Sequence, residues 1–184
     1  RLGLLPMLTL HHFTSPQWFI DDGGFTSGKS VPRFTRYTEK VLQELGPRIP
    51  LWCTLNEPMN YAFGCYFAKT MPPAVFEPKQ VSMASAHLLA CHVRAYDLIH
   101  SSTVERTGPF ASHPLSVGIA PNMIDFMPER PLHPMDTLLA VLVNRFYNWA
   151  WVDAIRGKSQ RFGVPFLIPG APQVPEALNR VTAD

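Results

Sequence analysis

Charged side chains are scarce. Asp, Glu, Lys and Arg make up 16% of the 184 residues, where about 25% is usual. That deficit argues against a heavily solvated helical bundle and for strands buried on both faces. Charge of one sign is also lacking, with a formal net of +2, so neither nucleic acid nor an anionic membrane is implied as a partner. Cysteine is limited to Cys53, Cys65 and Cys91. An odd number without a close pairing motif argues against a disulfide framework and a zinc site, and points to a reducing, cytoplasmic compartment. No run of 18 apolar residues occurs, so no membrane span is expected. A signal peptide and an initiator Met are both missing. The chain opens on Arg1-Leu2-Gly3 and reads as cut at the front.

Proline is abundant, with 19 residues, about twice the usual rate of roughly 5%. Proline is excluded from helix interiors and central strands, so long ordered loops are expected. Hydrophobic residues reach 46%, enough for one domain with a core. Three short apolar runs, residues 5–10, 51–55 and 116–120, read as buried strands. A loop is expected from His11 to about Pro32. It precedes a helix carrying Phe34, Tyr37, Val41, Leu42 and Leu45, closed by Gly46 as C-cap. A second loop is expected from Asn56 to about Pro78. Val81, Ala84, Leu88, Cys91, Ala95, Leu98 and Ile99 then mark one face of a long helix. A third helix places Leu138, Leu139, Leu142, Val143 and Phe146 inward and ends near Gly157. The tail from Gly163 to Pro175 reads as ordered loop.

Strand, loop and helix thus alternate three times, which implies parallel βαβ units. The loops after strands are long and carry His, Asn and Glu, whereas the returns to strands are short and plain. That asymmetry favours a (β/α)₈ barrel enzyme, whose chemistry sits on the loops after the strands. Three strands cannot close such a barrel. No internal repeat is present.

Thr54-Leu55-Asn56-Glu57-Pro58 is the strongest local signal, a carboxylate at the C-terminal end of a buried strand. Pro58 biases Glu57 toward an extended backbone. Partial burial disfavours the charged form and suits Glu57 to act as a general acid. Asn56 beside it can bond a sugar hydroxyl. A plain loop or helix-capping carboxylate is the competing reading. His11-His12-Phe13 and Gln17-Trp18 also follow a strand, offering polar groups for hydroxyls and aromatic faces for C–H surface. His11 alone reads as structural. A metal between His11 and His12 is disfavoured because no third ligand has suitable spacing.

In this order, Leu8-Thr9-Leu10-His11-His12-Phe13 with Pro16-Gln17, Gly23-Gly24-Phe25 and Trp52-Cys53-Thr54-Leu55-Asn56-Glu57-Pro58 resemble glycoside hydrolase family 1. The similarity continues through Ala86-His87-Leu88-Leu89, His92, Gly118-Ile119, Asn122 and Phe146-Tyr147-Asn148-Trp149 to Gly157. The resemblance implies strands three to five of a TIM (β/α)₈ barrel, so that residues 1–184 are a partial domain truncated at both ends. It implies Glu57 as acid/base, and His12 and Asn56 as ligands of the cleaved sugar. Phe13 stands where the family usually has Trp, and Asn122 is a further candidate lining residue. His87 and His92 read as structural, and Trp149 and Trp151 as packing of the outer helices. The family's nucleophile is a Glu in a Glu-Asn-Gly context, and no Asn here is followed by Gly. The implied activity is retaining hydrolysis of β-linked glucosides or related sugars, without cofactor or metal. Two alternatives remain open. One is another retaining barrel family with an Asn-Glu-Pro strand end, and the other is a non-catalytic sugar-binding or scaffold protein derived from the enzyme.

Overall fold

A computed structural model describes residues 3–156 of the chain. The three apolar runs form β1 (Met7–His11), β2 (Leu51–Asn56) and β3 (Ser116–Ala120). They make one sheet in the order β1-β2-β3, with both pairs parallel. β3 has the expected bounds. β1 starts later than expected, after Pro6, which has no N–H to give to a ladder. It runs one residue further, to His11, and β2 likewise takes in Asn56.

On β3, Val117 and Ile119 pack on the hydrophobic core while Ser116, Gly118 and Ala120 are exposed. The sheet therefore has a covered face and an open face. Leu51 pairs with Ser116 and Cys53 with Gly118, but Asn56 pairs with Ala120. Three residues of β2 span two of β3, a β-bulge over Thr54 and Leu55. Without it, alternation would put Cys53 and Asn56 on opposite faces. With it, both fall on the side of Gly118 and Ala120.

Helix α2 (Ser30–Leu45) follows β1, and α4 (Pro78–His100) follows β2. α4 lies against β2, β3 and α2 and buries Val81, Ala84, Leu88, Cys91, Ala95 and Ile99, as its periodicity predicts; Leu98 is half-buried. Trp52, Thr54 and Leu55 of β2 are buried, and Thr54 Oγ1 pairs with His92 Nδ1 of α4 at 2.7 Å. Phe25, 1% exposed, centres an aromatic cluster with His11 and Phe19 at 5.0 Å, Tyr61 at 5.7 Å and Phe34 at 6.3 Å. Its carbonyl accepts His87 Nδ1 at 2.8 Å, tying the loop after β1 to α4.

The two expected loops hold more structure than their sequence signals. The first contains α1 (Gln17–Asp21) and a 3₁₀ turn at Gly24–Thr26. The second contains α3 (Pro58–Tyr66), directly after β2. Pro58 and Pro78 both stand at the start of helices, where the absent N–H has no intrahelical partner to lose. They are starters rather than breakers.

Gly46 ends α2 in the right-handed region, at φ −49°, not as a left-handed cap. A Cβ there would come within 2.9 Å of Leu42 Cδ1, the tip of a half-buried side chain that can turn aside. In α2 itself Phe34 is buried, Val41 and Leu42 are half-buried, and Tyr37 and Leu45 are exposed.

After β3 the chain forms α5 (Pro134–Asn144), a π turn (Arg145–Trp149) and α6 (Ala150–Ile155). The inward placement expected for Leu138 and Leu139 does not hold, since they are 51% and 55% exposed. Burial begins beyond them, at Tyr147, Asn148, Trp151 and Ala154. The π turn adds a residue to the helical repeat and so rotates the buried face. Trp149 is correspondingly exposed and Trp151 buried. The expected helix end at Gly157 and the Gly163–Pro175 tail lie outside the described residues.

Candidate active site

Parallel strands bring their C-terminal ends to one edge of the sheet. His11 is level with Leu55, and Asn56 with Ala120. His12 and Phe13 therefore leave β1, Asn56 and Glu57 end β2, and Asn122 follows β3, all at that edge.

Glu57 does not have the extended backbone that Pro58 leads one to expect. It is left-handed, at φ 45° and ψ 55°, a region that costs a side-chain-bearing residue free energy. The backbone bonds supply the reason. Glu57 N–H donates to Ala120 O at 2.7 Å, continuing the ladder to β3, while Glu57 O accepts Tyr61 N–H at 3.0 Å and opens α3. One residue thus serves a strand and a helix, and the chain reverses within it. Burial of Leu55, Pro58, Met59 and Tyr61 on either side holds the reversal in place. The Glu57 side chain does not cap α3. Its Oε2 accepts from Asn60 Nδ2 at 2.9 Å.

A second strained residue lies at the end of β1. Phe13 has φ 67°, and Thr14 N–H donates to His12 O at 2.8 Å, closing a γ-turn of the rare hand. His12 is exposed, and its ring meets the half-buried Phe13 edge-on at 5.0 Å. Strain of this kind concentrates where a site must hold side chains in place.

His11 is structural, as its sequence context suggests. It is buried between the rings of Phe25 and Tyr61, each at 5.0 Å, and its Nε2 lies 3.3 Å from Ser15 Oγ. Burial, helped by the charge of His12, pulls its pKa down to about 4. Burial does the same to His92. Among the described residues no cluster of three or more His, Cys, Asp or Glu could hold a metal ion, and no helix is long and apolar enough to cross a membrane.

Asn122 is half-buried after β3. Its side chain lies beside the Tyr147 hydroxyl, whose pKa is raised first by burial and further by the negative charge of Glu57. Tyr147 packs on Phe63 of α3 and on Phe126. Asn148 fixes the same loop. Its Nδ2 donates to Ile124 O at 2.6 Å and its Oδ1 accepts Ile124 N–H at 3.0 Å. The structure thus groups Glu57 with Asn60, Tyr147 and Asn122, and puts His12, Phe13 and Asn56 at the same sheet edge.

Sequence reasoning missed Asn60 and the roles of Tyr147 and Asn148. Asn60 becomes visible once Pro58 is read as the first residue of a helix, since Asn60 then stands one turn from Glu57. Tyr147 has no local signal, because it reaches Glu57 only through the fold.

The model of glycosyl hydrolase family 1 matches residues 1–163. A β-glycosidase structure from Pyrococcus horikoshii superposes with a TM-score of 0.74 at 32% identity, over 93% of this chain and 37% of that one. β-Glucosidase A of Acetivibrio thermocellus is 29% identical over 103 residues, 56% of this chain and 23% of the relative. The 6-phospho-β-galactosidase of Staphylococcus epidermidis is 26% identical over 150 residues, 81% of this chain and 30% of the relative. The chain therefore spans little more than a third of these relatives at most, and its three parallel strands are a segment of the family's (β/α)₈ barrel. On the family match across most of its length, the chain belongs to glycosyl hydrolase family 1.

Proposed function

We propose that this segment supplies the acid/base half of the active site of a retaining β-glycosidase acting on β-linked glucosides or related sugars. Glu57 is the general acid/base. His12 and Asn56 hold the hydroxyls of the cleaved sugar, with Phe13 and Asn122 beside them. The reversal at Glu57 carries this reading. A strained residue, tied to β3 through its N–H and to α3 through its carbonyl, suits a carboxyl that must meet a bond in a fixed direction.

In such a mechanism a second carboxylate, about 5–5.5 Å away, attacks the anomeric carbon while Glu57 protonates the departing oxygen. Glu57 then takes a proton from the water that releases the sugar. That second carboxylate is proposed to come from sequence outside residues 1–184. The names of the relatives support a β-glycoside substrate. Assays on glucosides, galactosides and 6-phosphogalactosides would separate the sugars. The cytoplasm is the proposed compartment, supported by three cysteines that are buried and unpaired.

Replacing Glu57 tests the assignment in the enzyme that carries this segment. Glu57→Gln should lower kcat/KM on glycosides with basic leaving groups by roughly 10²–10⁴-fold. Activated aryl glycosides, which need little protonation, should lose far less. Equal loss on both kinds would remove Glu57 from the role of proton donor.

A further inference from the structure

A carboxyl group has two oxygens, and only one can face the bond being broken. Oε2 of Glu57 is occupied by the side-chain amide of Asn60 at 2.9 Å. Asn60 stands in the first turn of α3, between Met59 and Tyr61, each 2% exposed, so the turn is anchored on both sides. The amide is thus fixed relative to the carboxyl by the helix itself. Glu57 lies at the N-terminus of α3, yet its side chain takes no backbone N–H there. The carboxylate is turned to Asn60 instead.

We propose that Asn60 is a positioning residue that holds Oε2 as an acceptor and leaves Oε1 to carry the transferable proton. The inference rests on the reading of Glu57 as acid/base. An N–H donated to Oε2 draws electron density from that oxygen and makes it the less basic of the two, so the proton of the acid form resides on Oε1. As the glycosidic C–O bond breaks, its electron pair stays on the departing oxygen, which takes the proton from Oε1. The carboxylate left behind keeps the Asn60 hydrogen bond, which is stronger to the ionised form. In the second half Oε1 removes a proton from water, and the acid form is restored. A neutral amide suits this place, since it can donate in both halves without competing for the proton.

The test uses the active enzyme and a series of aryl and alkyl β-glucosides of rising leaving-group basicity. Asn60→Leu removes both polar atoms at a similar size, and Asn60→Ala removes the side chain beyond Cβ. Both should lose about tenfold in kcat/KM on the poorest leaving groups, the scale of one hydrogen bond to a charged group. On dinitrophenyl glucoside, whose departing oxygen needs no proton, kcat/KM should stay near the parent value. Using two variants keeps the test open should one fail to fold, and thermal midpoints show which have folded. A loss that is equal across the series, or no loss in either variant, would overturn the proposal while leaving Glu57 in its role. If Glu57→Gln itself shows no leaving-group bias, the role of Glu57 falls, and that of Asn60 with it.

Discussion

At the scale of single residues, the two buried histidines make the sheet sensitive to acid. His11 and His92 are 7% and 3% exposed and both have pKa values lowered from 6.5 to about 4. Above pH 6.5 they are neutral in folded and unfolded chains alike. Between 6.5 and 4 the unfolded chain takes up protons that the folded one refuses, so stability falls as pH falls. The scale is roughly 3 kcal/mol per histidine when complete. Denaturant midpoints at pH 7 and pH 4.5 should therefore diverge less in His92→Gln than in the parent protein, and equal divergence would show that His92 is not the group responsible. Candidate chemistry is most legible at this scale. Glu57, Asn56 and His12 stand out because they directly follow apolar runs that read as buried strands. What Glu57 does with its backbone is hidden, because the preference imposed by Pro58 is overridden by two hydrogen bonds to distant partners, Ala120 and Tyr61.

At the scale of elements, strands and long helices follow their periodicity, while α1 and α3 escape it. α3 has nine residues and is buried nearly all round, so it has no polar stripe to betray a helix. Gly64 within it is instructive. A Cβ there would lie 3.0 Å from Thr70 Oγ1 and 3.2 Å from Met71 Cγ, and Thr70 N–H donates to the Gly64 carbonyl at 2.9 Å. Helix propensity alone would make alanine better by about 1 kcal/mol, whereas overpacking costs about 1–3 kcal/mol. Packing should win, so Gly64→Ala is expected to lower the melting temperature. A rise would mean that the segment after α3 yields freely. Phe25→Ala, at the centre of the aromatic cluster, is expected to cost about 3–5 kcal/mol, read from the denaturant midpoint.

At the scale of the whole molecule, the sheet has outer edges on β1 and β3 among the described residues. Its uncovered side carries Met7, while Leu138, Leu139 and Val141 are exposed on α5. Unpaired strand edges and exposed apolar side chains favour association. The 184-residue chain expressed by itself should therefore aggregate and show no turnover of an aryl β-glucoside. Of the carboxylates after β3, Asp136 is held by Arg130 through two hydrogen bonds and Asp153 lies in α6. Neither ends a strand. Turnover abolished by Glu57→Ala would reveal a nucleophile within this chain. The barrel reading was accessible from loop asymmetry, since long polar loops after strands and short returns before them have one common cause in a barrel. Which helix faces stay open was not, because periodicity reports an apolar stripe without saying what will cover it.

The bulge in β2 makes the open face depend on parity. Three residues between Cys53 and Asn56 match two on β3. Deleting one of Thr54 and Leu55 would restore an unbroken ladder and give a tidier sheet. It would also turn Asn56 toward the helices and displace the reversal at Glu57. Three-nucleotide losses within those two codons should therefore abolish catalysis, and they should also lower the melting temperature, since Thr54 and Leu55 are both fully buried. Point substitutions at the same two codons change side chains but not the count, and so spare the direction in which Asn56 faces.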